Sequence, residues 1–116
     1  MHVEFIAHGP GGAALIGTTP HTRGRILRAN SKLAVLLDST PEALAGTRMC
    51  DHIHPEDRTR AENAFVRLIR GARNLYEITG HLLAADGTSR PVTAYASVVT
   101  ADVHQVVLIR FLAVPE

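Results

Sequence analysis

The sequence predicts an α+β fold built on an antiparallel sheet, and the order of its elements supports this. Two strand-like segments, residues 13–17 and 24–29, come first and are joined by a polar turn. A central stretch with helix-capping residues and helical apolar spacing follows, and the last third returns to strand-like segments. Strands that are grouped, rather than alternating one by one with helices, favour antiparallel pairing.

Capping residues mark the helices of the central stretch. Asn30 or Ser31 can cap the first helix, because a short side-chain oxygen accepts from the first free backbone N–H groups. For the second helix, Thr40 precedes a proline that suits the first helical position, while Ser39 has capping-box spacing to a glutamate. Both boundaries stay open by one residue. Gly46 is the predicted end of the second helix.

The longest helix is predicted from Pro55 to Gly71, after a single helical turn at residues 49–53. Glu56 and Asp57 suit the positive end of its dipole. Its apolar stripe follows the helical period and is predicted to face the core through Ala61, Phe65, Leu68, Ile69 and Ala72.

The last third predicts a three-stranded meander. Strands are expected at residues 75–83, 90–99 and 103–114. The Asp-Gly pair at residues 86–87 is a strong signal for the first turn. Residues 100–102 are expected to form the second turn.

Composition indicates one globular domain. The chain has 116 residues, of which 46% are hydrophobic and 20% charged, so it can bury one core. We expect a single domain over residues 13–114, preceded by an N-terminal segment or cap, residues 1–12. The formal net charge is +1 and no basic block is present, which argues against nucleic acid as a partner.

The cysteine content and hydropathy predict a cytoplasmic location. The one cysteine, Cys50, cannot form an internal disulfide, which fits a reducing compartment. No apolar run approaches the ~20 residues of a membrane span, and the N-terminus lacks the pattern of a secretory signal. Direct membrane contact is therefore not expected, although a longer parent protein could carry membrane spans elsewhere.

Several phrases occur in an order that resembles the PAS family of sensory modules. A strand ends in Asn30, residues 40–46 read Thr-Pro-Glu-Ala-Leu-Ala-Gly, residues 54–58 read His-Pro-Glu-Asp-Arg, and a strand later ends in the Asp-Gly turn. The resemblance implies a five-stranded antiparallel sheet in the order 2-1-5-4-3, with short helices on one face. PAS domains sense small ligands, light, redox state or oxygen, or mediate dimerisation.

The resemblance also disfavours the coloured cofactors of the family. Haem-binding members carry a histidine in the long helix, where this chain has Ala61, which cannot coordinate iron. Flavin photosensors carry a reactive cysteine in the phrase Gly-Arg-Asn-Cys-Arg-Phe-Leu-Gln. Here Cys50 is shifted by one position and the flanking residues differ. No cofactor is predicted, and an unknown small ligand stays possible.

Metal binding and catalysis are not expected. Cys50, His52 and His54 are close in sequence, but a spacing of two residues matches neither one helical face nor the usual zinc pattern. No nucleophile elbow, phosphate loop or dinucleotide fingerprint is present. The chain is therefore interpreted as a non-enzyme, although a parent protein could include a kinase or cyclic-di-nucleotide domain.

A ligand cavity is hypothesised between the sheet and the helices. Small residues at Gly80, Ala94 and Ala96 are expected to leave room for a guest, while an ordinary dry core is the alternative. The residues expected to line this space are Leu36, Met49, Ile53, Phe65, Ile69, Ile78, Ala94, Ala96 and Ile109.

The last strand is apolar on both faces, so its second face is expected to need a cover. The hypothesised cover is the N-terminal segment, a second copy of the chain, or both. This surface is predicted to comprise Phe5, Ile6, Val106, Leu108 and Leu112.

The resemblance implies a sensory input domain of a bacterial signalling protein, such as a histidine kinase, a cyclic-di-nucleotide enzyme or a transcription regulator. Residues 111–116 stand where family members usually continue into an output helix, so the chain is interpreted as an excised input domain that forms a homodimer. The alternative is a structural module with a filled core, which acts only in dimerisation or domain docking.

Overall fold

The computed structural model describes residues 11–101 and 103–115 of the protein. These residues form one five-stranded sheet in the order β2-β1-β5-β4-β3, and every neighbouring pair is antiparallel. The predicted fold class and strand order are therefore confirmed. The strands are β1 (Gly12–Ile16), β2 (Ile26–Ala29), β3 (Leu75–Leu83), β4 (Ser89–Ala101) and β5 (His104–Ala113).

Short helices connect β2 to β3. They are α1 (Ser31–Leu36), α2 (Pro41–Leu44), two 3₁₀ turns (Met49–His52 and Pro55–Asp57) and α3 (Arg58–Ile69). Asn30 caps α1 and Thr40 caps α2, each through its side-chain oxygen, so Ser31 and Ser39 are not the caps. Gly46 follows α2 with a φ of +86°, which a residue with a Cβ rarely adopts.

The longest helix differs from its prediction at both ends. Pro55 begins a 3₁₀ turn, and the α-helix itself begins at Arg58. At the other end, Ala72 is exposed instead of facing the core. The helix ends at Ile69 and Gly71 turns the chain with a φ of +77°, so Ala72 no longer follows the helical period. Ala64 and Leu68 are the most buried residues of α3.

The β3-β4-β5 meander has one predicted turn and one shorter turn. At the first, the Asp86 carboxylate accepts from the Thr88 N–H at 3.0 Å and from its hydroxyl at 2.7 Å, which lowers the pKa of Asp86. At the second, Thr100 pairs with Gln105, so it belongs to the strand ladder and not to the turn. The ladder continues because both strands keep a regular antiparallel register up to this hairpin.

Apolar side chains are buried on both faces of the sheet. The main core lies between the sheet and the helices, and Ile16, Leu33, Leu68 and Val107 are among its fully buried members. A second cluster contains Ala13, Leu15, Val106 and Leu108. Because side chains alternate along a strand, Val106 and Leu108 face away from Val107 and Phe111.

Candidate ligand cavity

A cavity of about 340 Å³ lies between the sheet and the helical side of the domain. It contacts the sheet at β1 and β5, and its other walls are α3, the residues before β2 and the Met49–His52 turn. The lining residues are Ile16, Arg23, Gly24, Arg48, Met49, Cys50, Ile53, Ala61, Glu62, Phe65, Val66 and Ile109.

The cavity combines an apolar interior with a charged rim. Met49 is buried, while Ile53, Phe65 and Ile109 are partly buried and pack against the main core. The charged lining residues Arg23, Arg48 and Glu62 are exposed and form the rim. Such a site can exclude water from the body of a small molecule and still hold a polar group.

The predicted lining residues divide into two groups. Met49, Ile53, Phe65 and Ile109 line the cavity. The others lie elsewhere: Leu36, Ile69 and Ala94 pack against the main core, Ala96 is buried within it, and Ile78 lies on β3.

The cavity lies nearer the centre of the sheet than the sequence predicted. It touches β1 through Ile16 and β5 through Ile109, whereas the prediction combined Ile109 with residues of β3 and β4 that do not line the cavity. The space above Gly80 is already filled, because a Cβ at this position would meet the Asp57 carboxylate at 3.1 Å. Gly80 therefore makes room for the Asp57 side chain and not for a ligand.

Sequence reasoning missed the polar part of the lining. Arg23 and Gly24 precede β2, Arg48 precedes the first 3₁₀ turn, Glu62 lies on α3, and Cys50 was considered only for other roles. One signal was available for α3. Ala61 and Phe65 are four residues apart on its apolar stripe, so both face the same space.

Cys50 is an unreactive thiol on the cavity wall. Burial, the negative charge of Glu62 and a hydrogen bond with that side chain raise the pKa of Cys50 to about 11, against the opposing charges of Arg48 and Arg58. A thiol with this pKa is protonated at neutral pH and is a poor nucleophile. Cys50 therefore serves as a hydrogen-bond donor to Glu62.

The two nearby histidines have local structural partners. The His52 Nε2 atom lies 2.8 Å from the Thr47 hydroxyl, and the His54 Nδ1 atom accepts from the Glu56 N–H at 3.2 Å. Within the described part of the chain, no group of three or more His, Cys, Asp or Glu side chains is placed to hold a metal ion.

Asp57 joins the start of α3 to β3. Its carboxylate accepts from the His81 N–H at 2.9 Å and from the Arg60 guanidinium at 3.1 Å. Arg60 also donates to the Thr79 carbonyl at 2.6 Å, and the His54 N–H donates to the His81 carbonyl at 2.9 Å. The His-Pro-Glu-Asp-Arg phrase therefore fixes one wall of the cavity to the sheet.

Asn30 joins α1 to β1 in a comparable way. Its side-chain oxygen accepts from the N–H groups of Ala13 and Leu33, each at 2.9 Å, and its amide donates to the Gly11 carbonyl at 3.2 Å. Among the described residues, Asn30 is the polar side chain that is fully buried, with 7% exposure. This residue, with Asp57, holds the helices against the sheet.

A comparison with known sequence families identifies this arrangement. A family profile described as the PAS fold matches residues 26–111, which is most of the chain. This chain belongs to the PAS family. PAS domains are in general non-catalytic sensory modules, so this PAS chain is a member of a sensory-domain family. No curated protein matches the chain significantly.

Solved structures with the same fold include domains of a sensor histidine kinase/response regulator and of a transcriptional regulator. The PAS domain of a Desulfitobacterium hafniense protein has a TM-score of 0.75 and 18% identity, covering 96% of this chain and 99% of that chain. A domain of a sensor histidine kinase/response regulator from Geobacter sulfurreducens has a TM-score of 0.71 and 12% identity, covering 92% and 87%. The PAS domain, in complex with ethanol, of a LuxR-family transcriptional regulator from Burkholderia thailandensis has a TM-score of 0.68 and 15% identity, covering 97% of each chain. At these identities the likeness shows the fold alone.

No helix in the described ranges has both the length and the apolar character that crossing a membrane requires. The longest, α3, has 12 residues, of which four are charged: Arg58, Arg60, Glu62 and Arg67.

Proposed function

We propose that this chain is the sensory input domain of a bacterial signalling protein, and that it binds a small ligand in the cavity to regulate an attached output domain. The cavity is the observation that carries the proposal. Its volume of about 340 Å³ falls within the range of roughly 300–1,000 Å³ that is typical of small-molecule sites. Its apolar interior gives a ligand a favourable environment away from water.

The walls of the cavity offer a route from ligand to output. Phe65 belongs to α3, whose first turn is fixed to β3 by Asp57. Ile109 belongs to β5, the last strand of the domain. A ligand that contacts both residues can favour one arrangement of α3 relative to β5 over another. The ligand shifts the equilibrium only as far as its affinities for the two arrangements differ.

The proposed ligand is neither haem nor a light-sensing flavin. No histidine is among the described lining residues, and Ala61 occupies the position where a haem ligand would be expected. Cys50 is shifted by one position from the reactive cysteine of the flavin photosensors, and its flanking residues differ from theirs. The proposed location is the cytoplasm, and the domain itself is proposed to lack enzymatic activity.

A second proposal, dimerisation or docking without a ligand, rests on the exposed part of the outer face of the sheet, where Leu112 is 38% exposed. Val106 and Leu108, which belong to the cluster on this face, are only 5% and 6% exposed in the single chain and offer a partner little surface. Phe5 and Ile6, the other predicted members of this surface, lie outside the described residues. A homodimer that uses this face is compatible with ligand binding, so the two functions can coexist.

Filling the cavity tests the ligand proposal. Ala61→Leu adds three carbon atoms at the cavity wall, and Ala43→Leu makes the same change at an exposed site on α2. We expect native mass spectrometry or a thermal-shift panel of small molecules to reveal a ligand for the original protein. The Ala61→Leu variant should lose this ligand while remaining folded, and Ala43→Leu should keep it.

Two outcomes would count against the ligand proposal. One is a protein that carries no small molecule and shows no thermal shift with any compound of the panel. The other is equal binding by the Ala61→Leu variant. Sedimentation analysis over a range of concentrations tests dimerisation separately, and a strict monomer would exclude it.

A further inference from the structure

Two arginines, Arg23 and Arg48, line the rim of the cavity, and a backbone pairing that the PAS motifs do not include joins the segments that carry them. Arg25 and Arg48 form an isolated antiparallel bridge, and the Met49 N–H donates to the Gly24 carbonyl at 2.9 Å. The Ile26 N–H donates to the Thr47 carbonyl at 2.8 Å. These bonds connect the backbone just after Arg23 to the backbone on both sides of Arg48. The backbone positions from which both arginine side chains extend are therefore fixed.

Arg23 is directed across the cavity toward α3. Its guanidinium carbon lies 5.9 Å from the centre of the Phe65 ring, a cation–π distance, and Phe65 also lines the cavity. The planar cation therefore lies beside the apolar surface that a ligand body would contact.

The rim has an excess of positive charge. Within residues 11–101 and 103–115, neither Arg23 nor Arg48 forms an ion pair with a carboxylate. Glu62 is the one carboxylate among the described lining residues, and it shares a hydrogen bond with the Cys50 thiol. Arg58 lies near this pair, with its Nε donating to the Ile53 carbonyl at 3.0 Å. The negative charge of Glu62 is thus outweighed by its neighbours.

We propose that the cavity selects a small organic carboxylate, with its carboxylate group at Arg23 and Arg48 and its apolar body against Met49, Phe65 and Ile109. This inference rests on the proposed ligand-binding function and names the class of ligand. A guanidinium presents parallel N–H donors that match the two oxygens of a carboxylate. The apolar interior takes the hydrocarbon part, which a fully polar anion would lack.

A headgroup comparison tests this without any mutation. Octanoate and 1-octanol have the same hydrocarbon body and differ in the charge of the headgroup, and octylammonium reverses that charge. By isothermal titration calorimetry, we expect octanoate to bind about tenfold more tightly than octanol, because charge-assisted hydrogen bonds exceed neutral ones. Octylammonium should bind most weakly. Added salt should lower the affinity for octanoate and leave the affinity for octanol unchanged.

A pair of double variants locates the headgroup. Arg23→Gln with Arg48→Gln removes the rim charges, whereas Arg28→Gln with Arg67→Gln removes the same charge from exposed sites that do not line the cavity. The rim variant should bind octanoate about tenfold more weakly, and its affinity for octanol should change by less than about twofold. The control variant should leave both affinities within about twofold of the original.

The outcomes separate this inference from the proposed function. Equal affinities for octanoate and octanol, or equal effects of the two double variants, would overturn the carboxylate assignment while leaving a functional cavity. If neither probe binds the original protein, the carboxylate assignment is also overturned. Ligand binding as such is then decided by the panel and by the Ala61→Leu variant.

Discussion

The two anchors, Asn30 and Asp57, and the cavity rim, Arg23, Arg48 and Glu62, use polar side chains in opposite ways. Each anchor accepts hydrogen bonds from backbone N–H groups that would otherwise lack partners. The rim charges are exposed, and the described structure gives its two arginines no carboxylate partner. The anchors satisfy backbone hydrogen bonds within the protein, whereas the two rim arginines keep donors that a bound molecule could use.

This difference shows that the PAS motifs contain the anchor residues but not the residues of the cavity rim. Asn30 and Asp57 belong to the phrases that carry the resemblance, and both hold helices against the sheet. The rim residues lie outside those phrases. The motif residues Asn30 and Asp57 therefore report how the helices are held against the sheet, and they carry no information about the rim of the cavity.

The largest expected effect is the loss of the Asn30 anchor. Asn30→Ala leaves the N–H groups of Ala13 and Leu33 without their acceptor in a buried place. We expect the free energy of unfolding to fall by about 3 kcal/mol, measured by urea denaturation, because a lost cap and unsatisfied buried donors both contribute. Asn63→Ala, at an exposed site on α3, should change stability by less than about 0.5 kcal/mol. Equal effects of the two variants would show that Asn30 is not an anchor.

The second anchor allows a test of the contact between Asp57 and Gly80. Asp57→Ala removes the acceptor of the His81 N–H and should cost about 1.5 kcal/mol. Gly80→Ala should cost about 1 kcal/mol, because its Cβ would lie 3.1 Å from the Asp57 carboxylate. In the double variant the added methyl has room, so the two losses should not add, with a coupling of at least about 0.5 kcal/mol.

If the two losses of stability add, the cost of Gly80→Ala arises from the β3 strand itself and not from the contact with Asp57. Asp51→Ala removes an exposed carboxylate from the neighbouring 3₁₀ turn and provides the matched control. It should leave the cost of Gly80→Ala unchanged.

The same contrast explains how far the sequence could predict this protein. Caps, glycine turns and strand segments depend on a few neighbouring residues, so Gly46 and the turn at residues 86–87 were predicted correctly, and Thr40 was one of two cap candidates. The strand order came from the resemblance, because local patterns do not specify it. Ala72 was placed wrongly because the helical pattern continued past the point where Gly71 ends the helix.

The cavity was predicted less well, because it depends on contacts distant in sequence. The absence of a side chain at Gly80 suggested free space, but the Asp57 side chain, 23 positions earlier, fills it. Arg23 and Arg48 line the same cavity because a backbone bridge between Arg25 and Arg48 pairs their two segments, and no periodic pattern indicates such a bridge. Residues on a helix stripe, such as Phe65, could be found from spacing alone.

A smaller effect is expected at the rim itself, in the reactivity of Cys50. Glu62→Gln removes a negative charge and weakens the hydrogen bond that together raise the pKa of Cys50, so this pKa should fall from about 11. Burial is the largest cause and persists, so the fall should be partial. The rate of alkylation by iodoacetamide at pH 8 should therefore increase, because more thiolate is present. Glu77→Gln, on the exposed side of β3, is the control, and an equal rate in both variants would remove Glu62 from this role.

The smallest expected effect concerns His52, a half-buried side chain at the end of the Met49–His52 turn. The Thr47 hydroxyl donates to the Leu44 carbonyl at 2.6 Å, so the His52 Nε2–H donates to Thr47. Burial lowers the pKa of His52, against the smaller opposing effect of Asp51. The unfolded chain therefore takes up the proton at higher pH than the folded one, and stability falls as the pH drops below about 6.5. His52→Gln should reduce the loss of stability between pH 7 and pH 5 in urea denaturation. His21→Gln, at an exposed site, should keep the original pH dependence, and the same slope in both variants would contradict the assignment.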